Sequence, residues 1–443
     1  MREQECLGCG QAIYVDPRFS AWCPHCLWNV DPVPGPPEPQ GRQARRRERE
    51  RRLAVGVHDR VLRDGAAGSS GPLRAAVLGA AVVTHLVSLL LVGVLLWLLI
   101  ADLAFVVRLV LVPPVAVLVL AVWPRPRRLE PETRTLTPGD APGAFEVVGQ
   151  VAAALGLPAP QLVAVDTEYR ASLVRVGWQR RPVLLLGWPL WNVLDAPAQV
   201  ALVAHELGHL VDGDVRNTLP VSLASDTLQR WAGAFHVEPG NWERAMYKVR
   251  FSSGTGDYAY VVHGGTSSAG SLSALLELLV GWVMRPLAYV SGTLQRAFES
   301  AATRAGEPSG YVADQAAARV AGTAATIRML SVGSLAGPAE RAVTNAVNRH
   351  LPDIWTAERE AIGQLPPSEV DRAMIACGLR WDRADSAHPP THLRLDVLAS
   401  RPEEPAAVVP SAEAITAMDR ELRAQVRRDR VAVAFSGAAS RVP

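Results

Sequence analysis

The sequence predicts an α+β protein that is mostly helical, with a small sheet, an apolar helical hairpin ahead of it and a small cysteine-containing module at the N-terminus. The prediction rests on two paired cysteine motifs, two long apolar runs, and short apolar segments that alternate with helical periodicity after residue 129. The 443 residues are 49% hydrophobic and 20% charged, and the mean hydropathy is +0.11. This composition excludes an intrinsically disordered chain and indicates a membrane segment. A net charge of +2 is too small to indicate a nucleic-acid binder.

Four of the five cysteines form two Cys-x-x-Cys pairs, Cys6 with Cys9 and Cys23 with Cys26. Each pair can direct two thiolates at one ion, and two such pairs complete a tetrahedral Zn²⁺ site. A module of about thirty residues cannot build a sufficient hydrophobic core, so a metal ion is what allows it to fold. The pattern therefore predicts a structural zinc ribbon over residues 1–32, with a redox-active dithiol or a chance pairing as the alternatives.

A linker rich in Pro and Arg, residues 33–72, leads into the apolar runs. Residues 75–101 contain no Asp, Glu, Lys or Arg, and this run exceeds the roughly 20 residues needed to cross a bilayer core. The second run, residues 103–123, is interrupted only by Arg108 and by a pair of prolines. Together the runs predict a transmembrane hairpin over residues 73–124, and a buried hairpin of a soluble protein is the alternative.

Arginines flank this hairpin on both sides, in the run Arg42–Arg52 before it and at Arg125, Arg127 and Arg128 after it. Because positive residues mark the cytoplasmic side, both termini and everything after the hairpin are predicted to be cytoplasmic. The abundance of alanine and the preference for arginine over lysine are typical of a GC-rich bacterial genome. The membrane is therefore predicted to be the bacterial inner membrane, which the hairpin would cross twice as part of a multi-pass protein. The bilayer is thus a predicted partner, and the basic run is expected to contact anionic lipid head groups.

Residues 129–401 have the pattern of a globular α+β domain. Short strands are predicted at residues 161–165, 171–177 and 182–187, the last almost continuously apolar and therefore central. A helix over residues 198–211 follows, after a helix-start signal at Asp195.

This helix carries the segment His205-Glu206-Leu207-Gly208-His209. Histidines four residues apart lie on one face of a helix, so their imidazoles can bind one metal ion, while Glu206 can take a proton from metal-bound water. Zinc brings the pKa of that water to about 7 and polarises a scissile carbonyl. The motif predicts hydrolysis of a protein or peptide substrate at a catalytic zinc ion, and a structural pair of buried histidines is the alternative.

From Leu129 to Arg401 the chain resembles the HtpX-like membrane metalloendopeptidases, a gluzincin-type family related to the CAAX prenyl protease. The matching segments are Ala204–His209, Gly213–Asp214, Tyr311–Asp314, Gly322, His388–Thr391 and Arg394. The resemblance implies a zincin-type fold and a zinc endopeptidase that acts on membrane or membrane-proximal proteins. It also implies that His388 helps to stabilise the tetrahedral oxyanion, although a loop histidine beside a Pro-Pro turn without such a role is the alternative.

In the family the third zinc ligand is a Glu four residues before the equivalent of Asp314, and this sequence has Gly310 at that position. Glu307 would have to reach the metal from a loop, and Asp314 supports the site in the family without binding the metal. Either carboxylate could complete the coordination, or zinc is bound weakly or not at all. The sequence therefore leaves two functions open: an active zinc endopeptidase with Glu206 as general base, and a pseudopeptidase that acts as a binding or regulatory membrane protein.

The remaining segment, residues 402–443, is predicted to be a C-terminal tail with one amphipathic helix. A third hypothesis gives the zinc ribbon a role in recruiting a protein or nucleic acid. Because Arg2 and Arg18 are the only basic residues of the ribbon apart from a histidine, no nucleic-acid partner is expected.

Overall fold

The computed structural model describes residues 2–31, 40–65, 71–123, 129, 133, 135–177, 179–211, 215–235, 270–381 and 388–426. The chain forms two compact units. The first consists of residues 1–70, 127–214 and 306–443, and the second of residues 71–126 and 215–305. Three groups named above lie outside the described residues: the prolines of 32–39, the arginines at 125, 127 and 128, and Gly213–Asp214.

Helices predominate in the described residues, as predicted, and the strands form two small sheets. The strands are β1 (Arg2–Glu5), β2 (Ala12–Val15), β3 (Thr135–Leu136), β4 (Leu162–Asp166), β5 (Ala171–Val176) and β6 (Arg181–Gly187). The helices of the first half are α1 (Arg42–Asp64), α2 (Gly71–Ile100), α3 (Phe105–Val122), α4 (Pro142–Ala154), α5 (Trp188–Val193), α6 (Ala196–Val211) and α7 (Leu219–Phe235). Those of the second half are α8 (Gly270–Ala321), α9 (Thr323–Gly333), α10 (Ala336–Asn348), α11 (Ile354–Gly363), α12 (Pro367–Arg380), α13 (Thr391–Ala399) and α14 (Ala412–Arg423).

The larger sheet has the strand order β3-β4-β6-β5. Strand β6 pairs in parallel with β4, where Leu162 faces Val183, and antiparallel with β5, where Ala171 faces Leu186. The residues of β6 from Val183 onward are buried, which confirms the prediction of a central, continuously apolar strand. Strand β5 lies at the edge, because no other described strand pairs with its outer side.

Helix α6 is the predicted helix, and it crosses the core of the first unit. The Asp195 carboxylate accepts a hydrogen bond from the backbone N–H of Ala198 at 3.1 Å, which satisfies one of the free donors at the start of the helix. Close packing against α8 depends on Gly208, where an added Cβ would lie 2.8 Å from the Cα of Ala313. The backbones of α6 and α8 therefore pass at a distance that only a glycine allows, and this brings Asp314 next to the histidine pair.

Helix α8 differs from the sequence prediction. It begins at Gly270, passes through Pro308 and continues beyond Tyr311, so Glu307 lies in a helix and not in a loop. A proline inside a helix removes one backbone hydrogen bond, and here the buried neighbours on the same turns hold the helix together. The helix ends at Ala321. The next residue, Gly322, has a φ of +92°, which is incompatible with a right-handed helix.

The C-terminal helix predicted after residue 402 is present as α14, and it packs into the core of the first unit. Its Met418 and Leu422 side chains are fully buried in the same cluster as α6. The Glu421 carboxylate accepts hydrogen bonds from the backbone N–H groups of Gly143 and Ala144 at 3.0 and 2.9 Å, so it caps the start of α4.

The second unit contains α2, α3 and α7. Helix α2 is the one helix of the described part of the chain that is long and apolar enough to cross a bilayer. Its most apolar 18-residue window has a mean hydropathy of 2.5, and 11% of that window is buried. Helix α3 is shorter and contains Pro113 and Pro114. On one side α2 packs against α7, where the His85 Nε2 lies 3.0 Å from the Pro220 carbonyl oxygen.

Candidate metal centre

Three imidazole rings meet at one point in the first unit. His205 and His209 come from α6, and His388 comes from the segment just before α13. The Nε2 atom of His388 lies 3.0 Å from that of His205 and 2.9 Å from that of His209. All three side chains are buried. The two histidines of the motif therefore face the same point, as the four-residue spacing predicts, and a third nitrogen joins them there.

A buried ion pair fixes the orientation of His205. The Nδ1 of His205 lies 2.9 Å from Oδ1 of Asp314, and Arg394 donates to both carboxylate oxygens, from Nη2 at 2.6 Å and from Nε at 2.8 Å. Burial by itself raises the pKa of the Asp314 carboxyl, but the ion pair with Arg394 and the hydrogen bonds outweigh it and hold the pKa well below its usual range. An ionised Asp314 accepts the Nδ1–H of His205, and this leaves no hydrogen on the Nε2 atom, which lies 3.0 Å from the Nε2 of His388.

The three Nε2 atoms have the donor chemistry of a metal site. An imidazole Nε2 carries either one hydrogen or one in-plane lone pair. The Nε2 of His388 can therefore make one well-aligned hydrogen bond, but not one to each of its two histidine neighbours. Two nitrogens bound to the same tetrahedral zinc ion at about 2.05 Å lie about 3.3 Å apart. The observed separations of 2.9 and 3.0 Å are close to this value. The donor set therefore fits a divalent ion such as zinc, which these three nitrogens would hold.

The residues named from the sequence lie around this point in different ways. Among the described residues of this region, three side chains have candidate ligand atoms within 4.8 Å of one another: His205, His209 and His388. Neither Glu307 nor Asp314 belongs to this group. Glu307 is buried in α8, and Asp314 contacts the far nitrogen of His205. Glu206 is buried and lines the adjoining cavity. His388 is not among the ligands predicted from the sequence, because it is 179 positions from His209 and no local spacing connects the two.

A cavity of about 310 Å³ opens onto the histidines. Its polar wall is formed by His205, Glu206, His388 and Arg394. Its apolar wall is formed by Leu190, Leu202, Met329, Leu330 and Cys377. Tyr169, Arg170 and Ala171 line a further side, so the start of the edge strand β5 borders the same space. The cavity thus combines candidate catalytic groups, an apolar surface and the start of an edge strand.

The four ribbon thiols form a second candidate metal site. The Sγ atoms of Cys6 and Cys26 are 3.6 Å apart and those of Cys9 and Cys23 are 3.7 Å apart. Thiolates bound to a tetrahedral zinc ion at about 2.3 Å lie about 3.8 Å from each other, so the cluster has the dimensions of such a site. The backbone N–H of Gly8 donates to Cys6 Sγ at 3.3 Å, which favours the thiolate form. Structure and sequence pattern therefore agree on the four residues.

A buried arginine of α12 binds the ribbon. The buried Arg372 guanidinium donates to three ribbon carbonyl oxygens: from Nη2 to Asn29 at 2.7 Å, from Nη1 to Ser20 at 3.0 Å and from Nε to Val30 at 3.0 Å. Nothing in the sequence pattern predicts this contact. Its Nη1 also donates to Glu369 of α12 at 3.3 Å, and the ribbon packs as part of the first unit.

One curated protein similar to this chain is a protease HtpX homolog of Thermococcus sibiricus. The two are 28% identical over 118 residues, which cover 26% of this chain and 38% of the relative. The match is distant and spans well under half of the relative, and it supports a likeness to the HtpX-like proteases at the level of the family only. No family model and no solved structure matches the chain.

Proposed function

We propose that the protein is a membrane-anchored, zinc-dependent endopeptidase that cleaves membrane or membrane-proximal proteins. One observation carries this proposal: the Nε2 atoms of His205 and His209 both lie within 3.0 Å of one nitrogen, the Nε2 of His388, beside a cavity that His205 and Glu206 line. A buried helix with two histidines and a glutamate in this arrangement has the groups that metal-assisted peptide hydrolysis requires. The partial similarity to a protease HtpX homolog supports the same reaction class.

The chain's own residues divide the work of hydrolysis. His205 and His209 would hold a zinc ion, which when bound supplies an activated water and polarises the scissile carbonyl. Glu206 takes a proton from the attacking water and passes it to the leaving amine. Asp314 and Arg394 keep His205 in the tautomer whose Nε2 has a free lone pair.

The cavity supports a peptide substrate bound in extended form. Strand β5 has an unpaired outer edge among the described strands, and its first residues border the cavity. An extended peptide can add to such an edge through backbone hydrogen bonds. One of its apolar side chains can then pack against Leu190, Leu202 and Met329 in the cavity.

The apolar helix α2 supports attachment to the membrane. Its length and composition are those of a bilayer-spanning helix, and most of its apolar window is exposed. We place the protein in the bacterial inner membrane as a multi-pass protein, with both termini and the peptidase cytoplasmic, because arginines flank the hairpin on both sides. The ribbon would hold a second, structural zinc ion in the same reducing compartment.

Glu206→Gln tests the proposed reaction. The variant keeps the shape of the side chain and the histidine pair but has no general base, so kcat/KM for casein hydrolysis should fall by about 10²–10⁴-fold with an unchanged zinc content. Glu146→Gln, an exposed glutamate of α4, is the matched control and should cleave like the wild type. A wild-type chain that cleaves no protein, with or without zinc at the histidines, would favour the pseudopeptidase instead, and one that binds no zinc there would contradict the proposed endopeptidase.

A further inference from the structure

The contact between Gly310 and the His388 segment points to the origin of the third ligand. Gly310 lies on α8, and a Cβ added there would be 2.7 Å from Cδ of Pro389, 3.4 Å from its Cγ and 3.6 Å from Cδ2 of His388. Any side chain at position 310 would collide with the Pro389 ring, because Cβ contacts below 3.0 Å are essentially never seen. The His388–Pro389 segment therefore occupies the space that a side chain on this turn of α8 would need.

We infer that His388 is the third protein ligand of the metal, and that Gly310 is the residue that admits it. The inference rests on the proposed function, since it assumes that His205 and His209 bind the ion. In the resembling family a glutamate at this position of the helix supplies the ligand. Here α8 contributes no side chain at 310, and the Nε2 of His388 comes within 3.0 Å of both motif nitrogens from the opposite wall. The resulting ligand set is three neutral imidazoles.

The segment that carries His388 is fixed firmly enough to serve as a ligand. Pro389 and Pro390 restrict the backbone directly after it. Arg394, one turn into α13, donates hydrogen bonds to both carboxylate oxygens of Asp314 on α8. The ion pair therefore ties α13, which begins three residues after His388, to the helix that carries Gly310. A histidine held in this way loses little conformational entropy when it binds an ion.

Zinc affinity of the full-length protein tests the inference without reference to activity. The wild type should hold two zinc ions per chain, one in the ribbon and one at the histidines. His388→Ala should lower the affinity of the second site at least about tenfold in competition with a chelator, since even partners outside the coordination shell cost 10–100-fold. His388→Gln, which is closer in size to histidine, guards against a packing effect. Cobalt(II) in place of zinc adds a spectroscopic readout, because loss of one imidazole changes the absorption of the nitrogen-ligated ion while that of the thiolate site stays.

Gly310→Ala tests the second half of the inference. The added methyl group must displace Pro389, and with it His388, so the affinity of the histidine site should fall. The matched control is Gly149→Ala, a helical glycine of the same unit with no atom within 4 Å of the added Cβ, and its affinity should equal that of the wild type. Unchanged affinity in both His388 variants would overturn the ligand assignment, and unchanged affinity in Gly310→Ala would overturn the role of the glycine. Loss of the second zinc in His205→Ala but not in His388→Ala refutes this inference alone, whereas retention of that zinc in His205→Ala refutes the proposed function as well.

Discussion

The two ligand clusters of this chain are built on opposite physical principles. The four thiols are contributed by residues at most 20 positions apart, and two of them, Cys9 and Cys26, are exposed. The three imidazoles are contributed by residues up to 183 positions apart, and all are buried beside a large apolar core. In the ribbon a metal ion replaces a core that is too small, whereas at the histidines an existing core positions the ligands. Loss of the metal ion should therefore unfold the ribbon, whereas the histidine site should lose its ion and keep its structure.

Removing one ligand from each cluster should give the largest and most clearly opposed effects. Cys9→Ser should remove the ribbon zinc and expose the backbone of residues 2–31 to rapid hydrogen exchange, because the buried cluster of this segment is too small to fold it without the metal. His209→Ala should leave that segment protected but lower kcat/KM for protein hydrolysis by more than about a hundredfold, since the loss of a direct ligand exceeds that of an outer partner. Zinc content, hydrogen exchange and hydrolysis measured on both variants check the comparison.

Each variant of this pair serves as the control for the other. Both should lose one zinc ion per chain and keep the helical content of the first unit. Collapse of hydrolysis in Cys9→Ser to the level of His209→Ala would show that the ribbon supports the catalytic site directly, and the two clusters would then not be independent.

Asp314→Asn should have an intermediate effect that is confined to the histidine site. An amide in this position is no longer an anionic acceptor for the Nδ1–H of His205, and it leaves the buried Arg394 without its counter-charge. Zinc affinity at the histidines should fall by about 10–100-fold. The ribbon zinc should not change. Asp396→Asn is the matched control, since this exposed carboxylate on α13 contacts His58 instead.

The same contrast explains what the sequence could predict. The Cys-x-x-Cys pairs and the histidine pair of α6 are local patterns, and the backbone geometry over a few residues determines them. The strands β4 to β6 and the start of α6 after Asp195 were also predicted from local signals. The position of His388 depends on how α13 packs against α8, which no spacing records. Helix α8 passes through Pro308 because its packing offsets a weak local propensity.

The attachment of the ribbon is the smallest of the predicted effects and the one that separates folding from docking. Arg372→Lys replaces a planar fork by a single ammonium group, which can reach at most part of the three carbonyl oxygens at Ser20, Asn29 and Val30. The loss should be about 1.5–3 kcal/mol for each charged hydrogen bond not remade. Hydrogen exchange in residues 2–31 should therefore accelerate while the ribbon keeps its zinc and hydrolysis is unaltered.

Arg380→Ala provides the comparison for this prediction, because Arg380 is the other arginine of α12 that contacts the ribbon. Its ion pair with Asp31 is partly exposed, at 45% and 23% for the two side chains, and is worth at most about 1 kcal/mol. Ribbon exchange should change little in this variant. Equal acceleration in Arg372→Lys and Arg380→Ala would mean that the buried fork does not hold the ribbon. Loss of ribbon zinc in Arg372→Lys would mean that docking and metal binding are one event, and the ribbon would then depend on the core of the first unit as the histidine site does.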